Sequence, residues 1–213
     1  MINNNEKFVK DTFKFHKDKF SQHLKLINEV KDYTKTYSDC YLGFHKYNSE
    51  MNQMNKPKVY KRTPKNLEGK FENRLLDDTI YFSKQLGKSW INTCFYQIKD
   101  ENQNNIGLHY DGTPKEPELN QIYISIFENN KLNKVLFYHS DNNFMEDSYS
   151  YDNQGRIEKI IRDGYWGKSS SVLPTRTFKF DYDTNNKLTL FSKQLKQNGE
   201  NYFEQIFPKV KRQ

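Results

Sequence analysis

Three residues have the types needed to hold a catalytic metal: His109, Asp111 and His139. Two imidazoles and one carboxylate form the non-haem iron site of a class of oxygenases. The interval between Asp111 and His139 is short for such an enzyme, and the next arginine, Arg156, is too distant in sequence to clamp a co-substrate carboxylate. We therefore predict no metal and no cofactor, and keep a metal-dependent, oxygenase-like enzyme as an alternative.

The sequence offers no other catalytic arrangement. Cys94 lies in NTCFY, where a strand interior makes it a small apolar residue, and the chain has no Gly-x-Ser-x-Gly or Gly-x-Gly motif. The acidic pairs 77–78 and 146–147 are sequence neighbours, whose side chains diverge on a helix or a strand. Cys40 and Cys94 are too few and too far apart for a disulfide framework, which favours reduced thiols. We predict that the protein is not an enzyme.

Tyr165 and Trp166 are the first candidates for binding a partner. They stand in RDGYWGKSSS, bracketed by Gly164 and Gly167 in a predicted loop. Exposed aromatic side chains commonly anchor protein interfaces, because they bury a large area at little entropic cost. A loop that packs over the edge of a sheet would explain the same pair equally well.

A basic stretch is the second candidate for binding. Residues 1–70 contain 15 Lys and Arg against 8 Asp and Glu, whereas residues 71–213 contain 19 of each class. The densest part is NKPKVYKRTPK, residues 55–65, in which Pro57 and Pro64 oppose regular structure. It could contact phosphates or an acidic protein surface, or it could be a solvated linker. The cations that would make the contact are Lys58, Lys61, Arg62 and Lys65.

The elements that must position these residues differ along the chain. An amphipathic helix is predicted over about Lys7 to Lys31, although its first half alternates and could be a strand. Residues 33–47 are typical of a short hairpin, and residues 73–85, which end near Gly87, of a second short helix. Nine short segments rich in aromatic and β-branched residues follow from Trp90 onward, which indicates an antiparallel meander.

Composition supports a sheet-rich fold. The chain has no alanine, whereas Phe and Tyr number 16 and 15, so aromatic rings supply most of the core. Such rings suit a pleated surface better than a helical bundle. We predict one α+β domain over residues 1–213, with a mainly helical and basic part at 1–89 packed on a large antiparallel sheet at 90–213.

A hairpin sequence recurs within the strand-rich part. YDNQGRI at 151–157 matches YDTNNKL at 182–188, and FENNKL at 127–132 is a looser copy whose loop is one residue shorter. In each copy a small turn residue precedes a cation and an aliphatic residue, and this position is expected to need a positive φ, which Gly and Asn tolerate best. The corresponding turn residues are Asn130, Gly155 and Asn186.

These hairpins resemble the YD repeats of Rhs-type polymorphic-toxin proteins, whose unit is Tyr-x-Tyr-Asp, two residues, then Gly-Arg-Leu or Gly-Arg-Ile. Residues 149–157 match the unit closely, and residues 180–188 match it with substitutions. The resemblance covers about a third of the chain. Rhs shells use dozens of copies to enclose a cargo, so two or three copies cannot form a shell.

The resemblance implies a role in a toxin system. We predict a non-enzymatic protein that binds a partner, namely an immunity protein whose partner is a cognate bacterial toxin domain. The sequence has no apolar run long enough to span a membrane and no signal peptide in MINNNEKFVK, so we predict a cytoplasmic protein. A nucleic-acid-binding module that uses the basic N-terminal third is the alternative.

Overall fold

The computed structural model describes residues 4–44, 47, 51, 57–167, 171–197 and 200–207. The helices and strands of this part are α1 (Asn4–His16), α2 (Phe20–Glu29), β1 (Thr34–Ser38), β2 (Val59–Tyr60), β3 (Phe71–Leu76), β4 (Thr79–Gln85), β5 (Ile91–Lys99), β6 (Asn105–Gly112), β7 (Pro117–Glu128), β8 (Lys131–His139), β9 (Asn143–Tyr151), β10 (Ile157–Trp166), β11 (Ser171–Val172), β12 (Arg176–Tyr182), β13 (Leu188–Gln197) and β14 (Glu200–Phe207). Neither helix is long and apolar enough to cross a membrane.

All strands belong to one antiparallel sheet. Its order is β14-β13-β12-β10-β9-β8-β7-β6-β5-β4-β3-β1-β2, and the short β11 also pairs with β10. Strand order therefore follows chain order over almost the whole sheet, as in a meander. This arrangement confirms the predicted α+β fold, with N-terminal helices and a large antiparallel sheet.

The N-terminal segment is helical as predicted, but it forms two helices, so the prediction of one continuous helix from Lys7 to Lys31 is wrong. The backbone N–H of Lys19 donates to the carbonyl of His16, which closes a turn between α1 and α2. The break contains neither Gly nor Pro, the residues that usually announce one. With the helix broken at this turn, both α1 and α2 place apolar residues on the same core of the sheet.

Residues 73–85 do not form the predicted helix. They contribute to β3 and β4, which pair as a hairpin. Asp77 and Asp78 make its two-residue turn with φ of 48° and 59°, values that a type I′ turn requires and that aspartate tolerates. With β1 and β2 included, the described residues up to 89 supply four strands to the sheet and are not mainly helical.

The hairpin predicted at residues 33–47 is also absent from the described residues. Only β1 is a strand there, and it pairs with β2 and β3, which lie farther along the chain. Residues 45–46 lie outside the described part. Residues 41–44 instead run across the sheet, where Tyr96 donates its hydroxyl hydrogen to the carbonyl of Leu42.

The sheet buries side chains on both faces. The helix face carries α1 and α2, and its core includes Val9, Phe13, Tyr81, Phe95, Leu108, Tyr110, Ile122 and Leu136. The second face carries residues from the segment between β1 and β2, and its core includes Met51, Tyr123, Val135, Phe137, Tyr149, Ile160, Phe178, Phe180 and Phe191. Aromatic rings make up six of the nine buried residues of the second-face core and six of the thirteen of the helix-face core, so they supply much of both cores, as the composition predicts.

Two buried histidines join the helices to the sheet. His16 Nδ1 and His23 Nε2 lie 3.1 Å apart, and each residue is 5% exposed. Tyr110 from β6 donates its hydroxyl hydrogen to the carbonyl of His16. Burial lowers the pKa of both imidazoles to about 4, and the nearby positive charge of Lys19 acts in the same direction. Both histidines are therefore neutral at pH 7.

Three hairpins share one aspartate-led turn. Asp152 Oδ1 accepts the backbone N–H groups of Gln154 and Arg156, each at 2.9 Å. The residue three positions after the aspartate, Gly155, has a φ of 76°. The same bonds recur at Asp183, whose Oδ1 accepts the N–H groups of residues 185 and 187, and there Asn186 has a φ of 61°.

The third copy of this turn is not the one that the sequence indicates. Asp100 Oδ1 accepts the N–H groups of Asn102 and Asn104, and Gln103 has a φ of 63°. FENNKL forms a shorter turn in which Asn129 and Asn130 both have positive φ, at 50° and 60°. The positive φ predicted for Asn130 is therefore present, but in a different kind of turn.

Candidate functional site on the second face

Successive hairpins of the second face are joined through tyrosine hydroxyls. Tyr151, at the end of β9, donates its hydroxyl hydrogen to the carbonyl of Leu132 at 2.7 Å. Lys131, next to that carbonyl, places its Nζ 5.3 Å from the centre of the Tyr151 ring. A single tyrosine thus receives a hydrogen-bond acceptor and a cation from the hairpin before it.

The next hairpin repeats the arrangement. Tyr182 donates its hydroxyl hydrogen to the carbonyl of Ile157 at 2.9 Å, and the Arg156 guanidinium lies 4.8 Å from the Tyr182 ring. Arg156 Nη1 also donates to Asn186 Oδ1 at 3.0 Å. We call the contacts of Tyr151 and Tyr182 with the preceding hairpins the tyrosine ladder. They explain why tyrosine, aspartate, cation and aliphatic residue recur together in the sequence.

A buried ion pair lies on the same face. Arg162 of β10 and Asp147 of β9 make two hydrogen bonds of 2.7 Å, and their side chains are 5% and 4% exposed. Burial by itself would lower the pKa of Arg162, but the hydrogen bonds and the charge of Asp147 raise it. The pair is geometrically well formed, and each partner neutralises a charge that would be costly to bury alone.

Tyr165 and Trp166 are not in a loop, since they form the end of β10. Tyr165 points to the helix face, where its hydroxyl donates to Glu6 Oε1 at 2.7 Å. Trp166 therefore points to the second face, because side chains alternate along a strand. Its side chain is 45% exposed. The predicted pair thus separates into one residue that holds α1 and one that is accessible to a partner.

His109 and His139 also lie on the second face, in one row across the sheet. The register pairs Cys94 with His109, His109 with Gln121 and Gln121 with His139. His109 Nε2 lies 2.9 Å from Asn92 Oδ1, and its Nδ1 is buried without a hydrogen-bond partner in the described part of the chain. Burial lowers the pKa of His109, although the charge of Asp111 opposes the shift.

The other two members of the predicted metal triad have structural partners of their own. Asp111 Oδ2 accepts a hydrogen bond from Asn120 Nδ2 at 2.7 Å, and His139 Nδ1 accepts the backbone N–H of Asp141 at 3.0 Å. Among the described residues, no group of three His, Cys, Asp or Glu side chains is arranged to hold a metal ion. Cys94 is fully buried, and burial raises the pKa of its thiol well above its ordinary value.

The basic stretch lies at the edge of the sheet formed by β2. Lys58, Lys61, Arg62 and Lys65 are exposed. The ring of Tyr60 lies between two lysines, with Lys58 Nζ at 5.2 Å and Lys70 Nζ at 5.4 Å from its centre. Residues 55–56, which also belong to the stretch, lie outside the described part. The basic edge is therefore remote from Trp166, which is on a strand near the opposite edge.

Sequence reasoning missed the tyrosine ladder and the aromatic slot beside it. Phe44 stacks on Tyr123 with ring centres 4.3 Å apart and lies 4.7 Å from Tyr96. Gly107 is the floor of this slot, because a Cβ added there would come within 2.2 Å of the Phe44 ring. A glycine inside a strand was the available signal, since it marks a close approach of another group.

No family model matches the chain, and comparison with curated proteins and with solved structures also finds no match.

Proposed function

We propose that this protein acts without catalysis by binding another protein, and that the partner is a bacterial toxin domain which it neutralises in the cytoplasm. The observation that carries the proposal is the tyrosine ladder, whose Tyr-Asp units resemble those of polymorphic-toxin proteins. An inhibitor needs a complementary surface and no active site. The second face offers aromatic and polar groups that are already fixed by hydrogen bonds, which lowers the entropic cost of binding.

Trp166 is the anchor in this proposal. It stands at the end of β10 with 45% of its surface exposed, next to a strand pair that a buried ion pair fixes. Residues that dominate binding energy are often Trp, Tyr and Arg on rigid elements. The loss of such an anchor costs about 2 kcal/mol or more, which corresponds to roughly 30-fold in Kd.

Co-purification with the product of the adjacent gene tests the proposal. We expect a stable complex, and growth of cells that express the toxin only when this protein is present. Trp166→Ala should weaken the complex about 30-fold. Trp90→Ala is the matched control, because Trp90 is 55% exposed but precedes β5 at a different part of the sheet. Equal loss from both variants, or no complex at all, would contradict the proposal.

Nucleic-acid binding at the basic edge is the second candidate. It is favoured by four exposed cations, of which Lys61, Arg62 and Lys65 form no ion pair in the described part of the chain. If all four neutralise phosphates, the affinity for duplex DNA should fall with salt with a logarithmic slope of about 3.6. Replacement of the four cations by Gln should remove that dependence, whereas Trp166→Ala should leave it unchanged.

A further inference from the structure

Three hairpins place an aromatic residue at the same position on the second face. The register pairs Phe127 with Leu132, Tyr151 with Ile157 and Tyr182 with Leu188. In the second and third of these hairpins, the tyrosine hydroxyl reaches a backbone carbonyl of the hairpin before it. Phe127 occupies the equivalent place in the first but has no hydroxyl to donate. Its side chain is 44% exposed, whereas both tyrosines are half-buried.

The hairpin that precedes Phe127, formed by β5 and β6, also differs from the hairpins that complete the ladder. In the two later hairpins the residue five positions after the turn aspartate is aliphatic, Ile157 or Leu188. In this hairpin the residue five positions after the turn aspartate Asp100 is Asn105. The side-chain oxygen Oδ1 of Asn105 is buried and accepts no hydrogen bond in the described part of the chain. A buried acceptor without a donor is destabilising, because it has lost its hydrogen bonds to water and gained none in return. At this step the ladder therefore has an acceptor but no donor.

A cavity lies between these two hairpins. Its volume is about 220 Å³, and Asn105, Gly107, Tyr123, Ser125, Phe127 and Leu132 are among its lining residues. Sites for whole metabolites or cofactors usually measure about 300–1,000 Å³, so this cavity suits a single side chain better. Its walls are aromatic on two sides, and aromatic rings pack well against one another.

We infer that the cavity is the docking site for a tyrosine side chain of the protein partner. The ring would pack in the cavity beside Phe127, which itself holds the place of Tyr151 and Tyr182, and its hydroxyl would donate to Asn105 Oδ1. As in the ladder, a tyrosine hydroxyl would be the donor, but it would come from another chain and its acceptor would be a side-chain oxygen in place of a backbone carbonyl. This inference rests on the proposed function only in requiring that the partner be a protein.

Binding of p-cresol, the side chain of tyrosine as a free molecule, tests the cavity without any partner. Two-dimensional NMR of the labelled protein should show shifts at Gly107 and at the side-chain amide of Asn105, with a Kd on the order of millimolar for so small a ligand. 4-Methylanisole has the same ring but no hydrogen-bond donor, so it should bind at least tenfold more weakly. No shift with p-cresol, or equal binding of both molecules, would overturn the inference.

Variants make the test specific to the cavity. Ser125→Trp should fill it and abolish p-cresol binding, whereas Ser125→Ala should leave binding intact. Phe127→Tyr should supply the hydroxyl from within the chain, so it should weaken p-cresol binding at least tenfold and raise the melting temperature by roughly 2–4 °C. Unchanged p-cresol binding in Ser125→Trp would place the ligand elsewhere and refute the assignment.

The same variants separate this inference from the proposed function. If Ser125→Trp and Phe127→Tyr bind the toxin domain at full affinity while Trp166→Ala does not, the protein-binding proposal holds and the docking site is wrong. If p-cresol binds as expected and no partner protein co-purifies, the cavity is a tyrosine site whose proposed partner is wrong.

Discussion

The hydroxyl of Tyr182 donates a hydrogen bond to the carbonyl of Ile157 at 2.9 Å, and this bond joins two hairpins through residues that are 25 positions apart in the chain. Tyr151 makes the equivalent bond one hairpin earlier. These two contacts convert neighbouring hairpins into a continuous surface. The stability of that surface should therefore depend on the tyrosine hydroxyls as well as on the strand pairing.

Removal of a ladder hydroxyl should lower stability measurably. Tyr151→Phe deletes the bond to Leu132, and Tyr182→Phe deletes the bond to Ile157 together with a contact to the Tyr47 side chain. The ring stays in place in both, so each variant should lower the free energy of unfolding by about 1 kcal/mol or more. Urea unfolding would measure the change. Tyr60→Phe is the matched control, because the Tyr60 hydroxyl has no hydrogen-bond partner in the described part of the chain. A loss as large in the control would show that the ladder has no special role.

The turn at Gly155 should not tolerate a β-branched residue. Its φ of 76° lies in the left-handed region, while the space that an added Cβ would enter is open apart from Lys131 Nζ at 3.5 Å. The cost of Gly155→Val is thus a backbone cost of about 1–2 kcal/mol. Gln154→Val in the same exposed turn is the control. Equal unfolding curves for the two variants would reject the requirement for positive φ.

Replacement of Arg162 alone should lower the free energy of unfolding far more than replacement of Arg162 and Asp147 together. Arg162→Met leaves a buried carboxylate without its cation, which typically costs about 3–5 kcal/mol. Arg162→Met combined with Asp147→Leu removes both charges and should recover a large part of that loss. Chemical unfolding of the unmodified protein, of Arg162→Met and Asp147→Leu alone, and of the double variant gives the coupling energy. If the double variant is as unstable as the sum of the single variants, the two charges do not act as a pair.

Acid should destabilise the contact between the helices and the sheet. The pKa of His16 and of His23 in the folded protein is about 4, against an ordinary value of 6.5, because both are buried and close to Lys19. Between these values the unfolded chain binds protons that the folded protein does not. Stability should therefore fall as pH falls from about 6.5 to about 4, by up to about 1.4 kcal/mol per pH unit for each histidine.

His23→Leu should make that pH dependence shallower, since one titrating group disappears. His139→Gln is the control, because His139 belongs to the second face, whereas the helices lie on the other face. His109 contributes in the same direction as the histidine pair, so some dependence should remain in every variant. An unchanged slope in His23→Leu would show that the pair is not the origin of the acid sensitivity.

The parts of the fold that could be predicted are those set by local chemistry. Gly155 and Asn186 predict their turns, because few other residue types tolerate a positive φ. The turn at Asp100 was missed because Gln103 holds the same φ without being a turn-forming residue, and because Lys99 stands where the other copies have tyrosine. The prediction of a helix at 73–85 was wrong for a similar reason. These residues form a hairpin, but its turn contains two aspartates and not the Asn-Gly pair that is typical of such turns.

The candidate site could not be predicted from the sequence, because it is formed by contacts between residues that are far apart in the chain. His109 and His139 share a row only because β6, β7 and β8 pair in one register. The opposite orientations of Tyr165 and Trp166 follow from their being in a strand, whereas the flanking glycines favoured a loop. The cavity beside Phe127 depends on four strands, β5 to β8, and on a ring from residue 44, so it can be seen only in the folded chain.

The position of α1 has a consequence for synthesis on the ribosome. Helix α1 is made before the sheet, yet Asn5 donates to Glu146 and Tyr165 donates to Glu6 across 141 and 159 residues of chain. The sheet can grow hairpin by hairpin as it emerges, because nearly all its strand pairs are between sequence neighbours. The nascent helix must then wait, with its apolar stripe uncovered, until most of the chain has left the exit tunnel. A chaperone that covers exposed apolar helices should therefore associate with short nascent chains and be released once residue 165 has emerged.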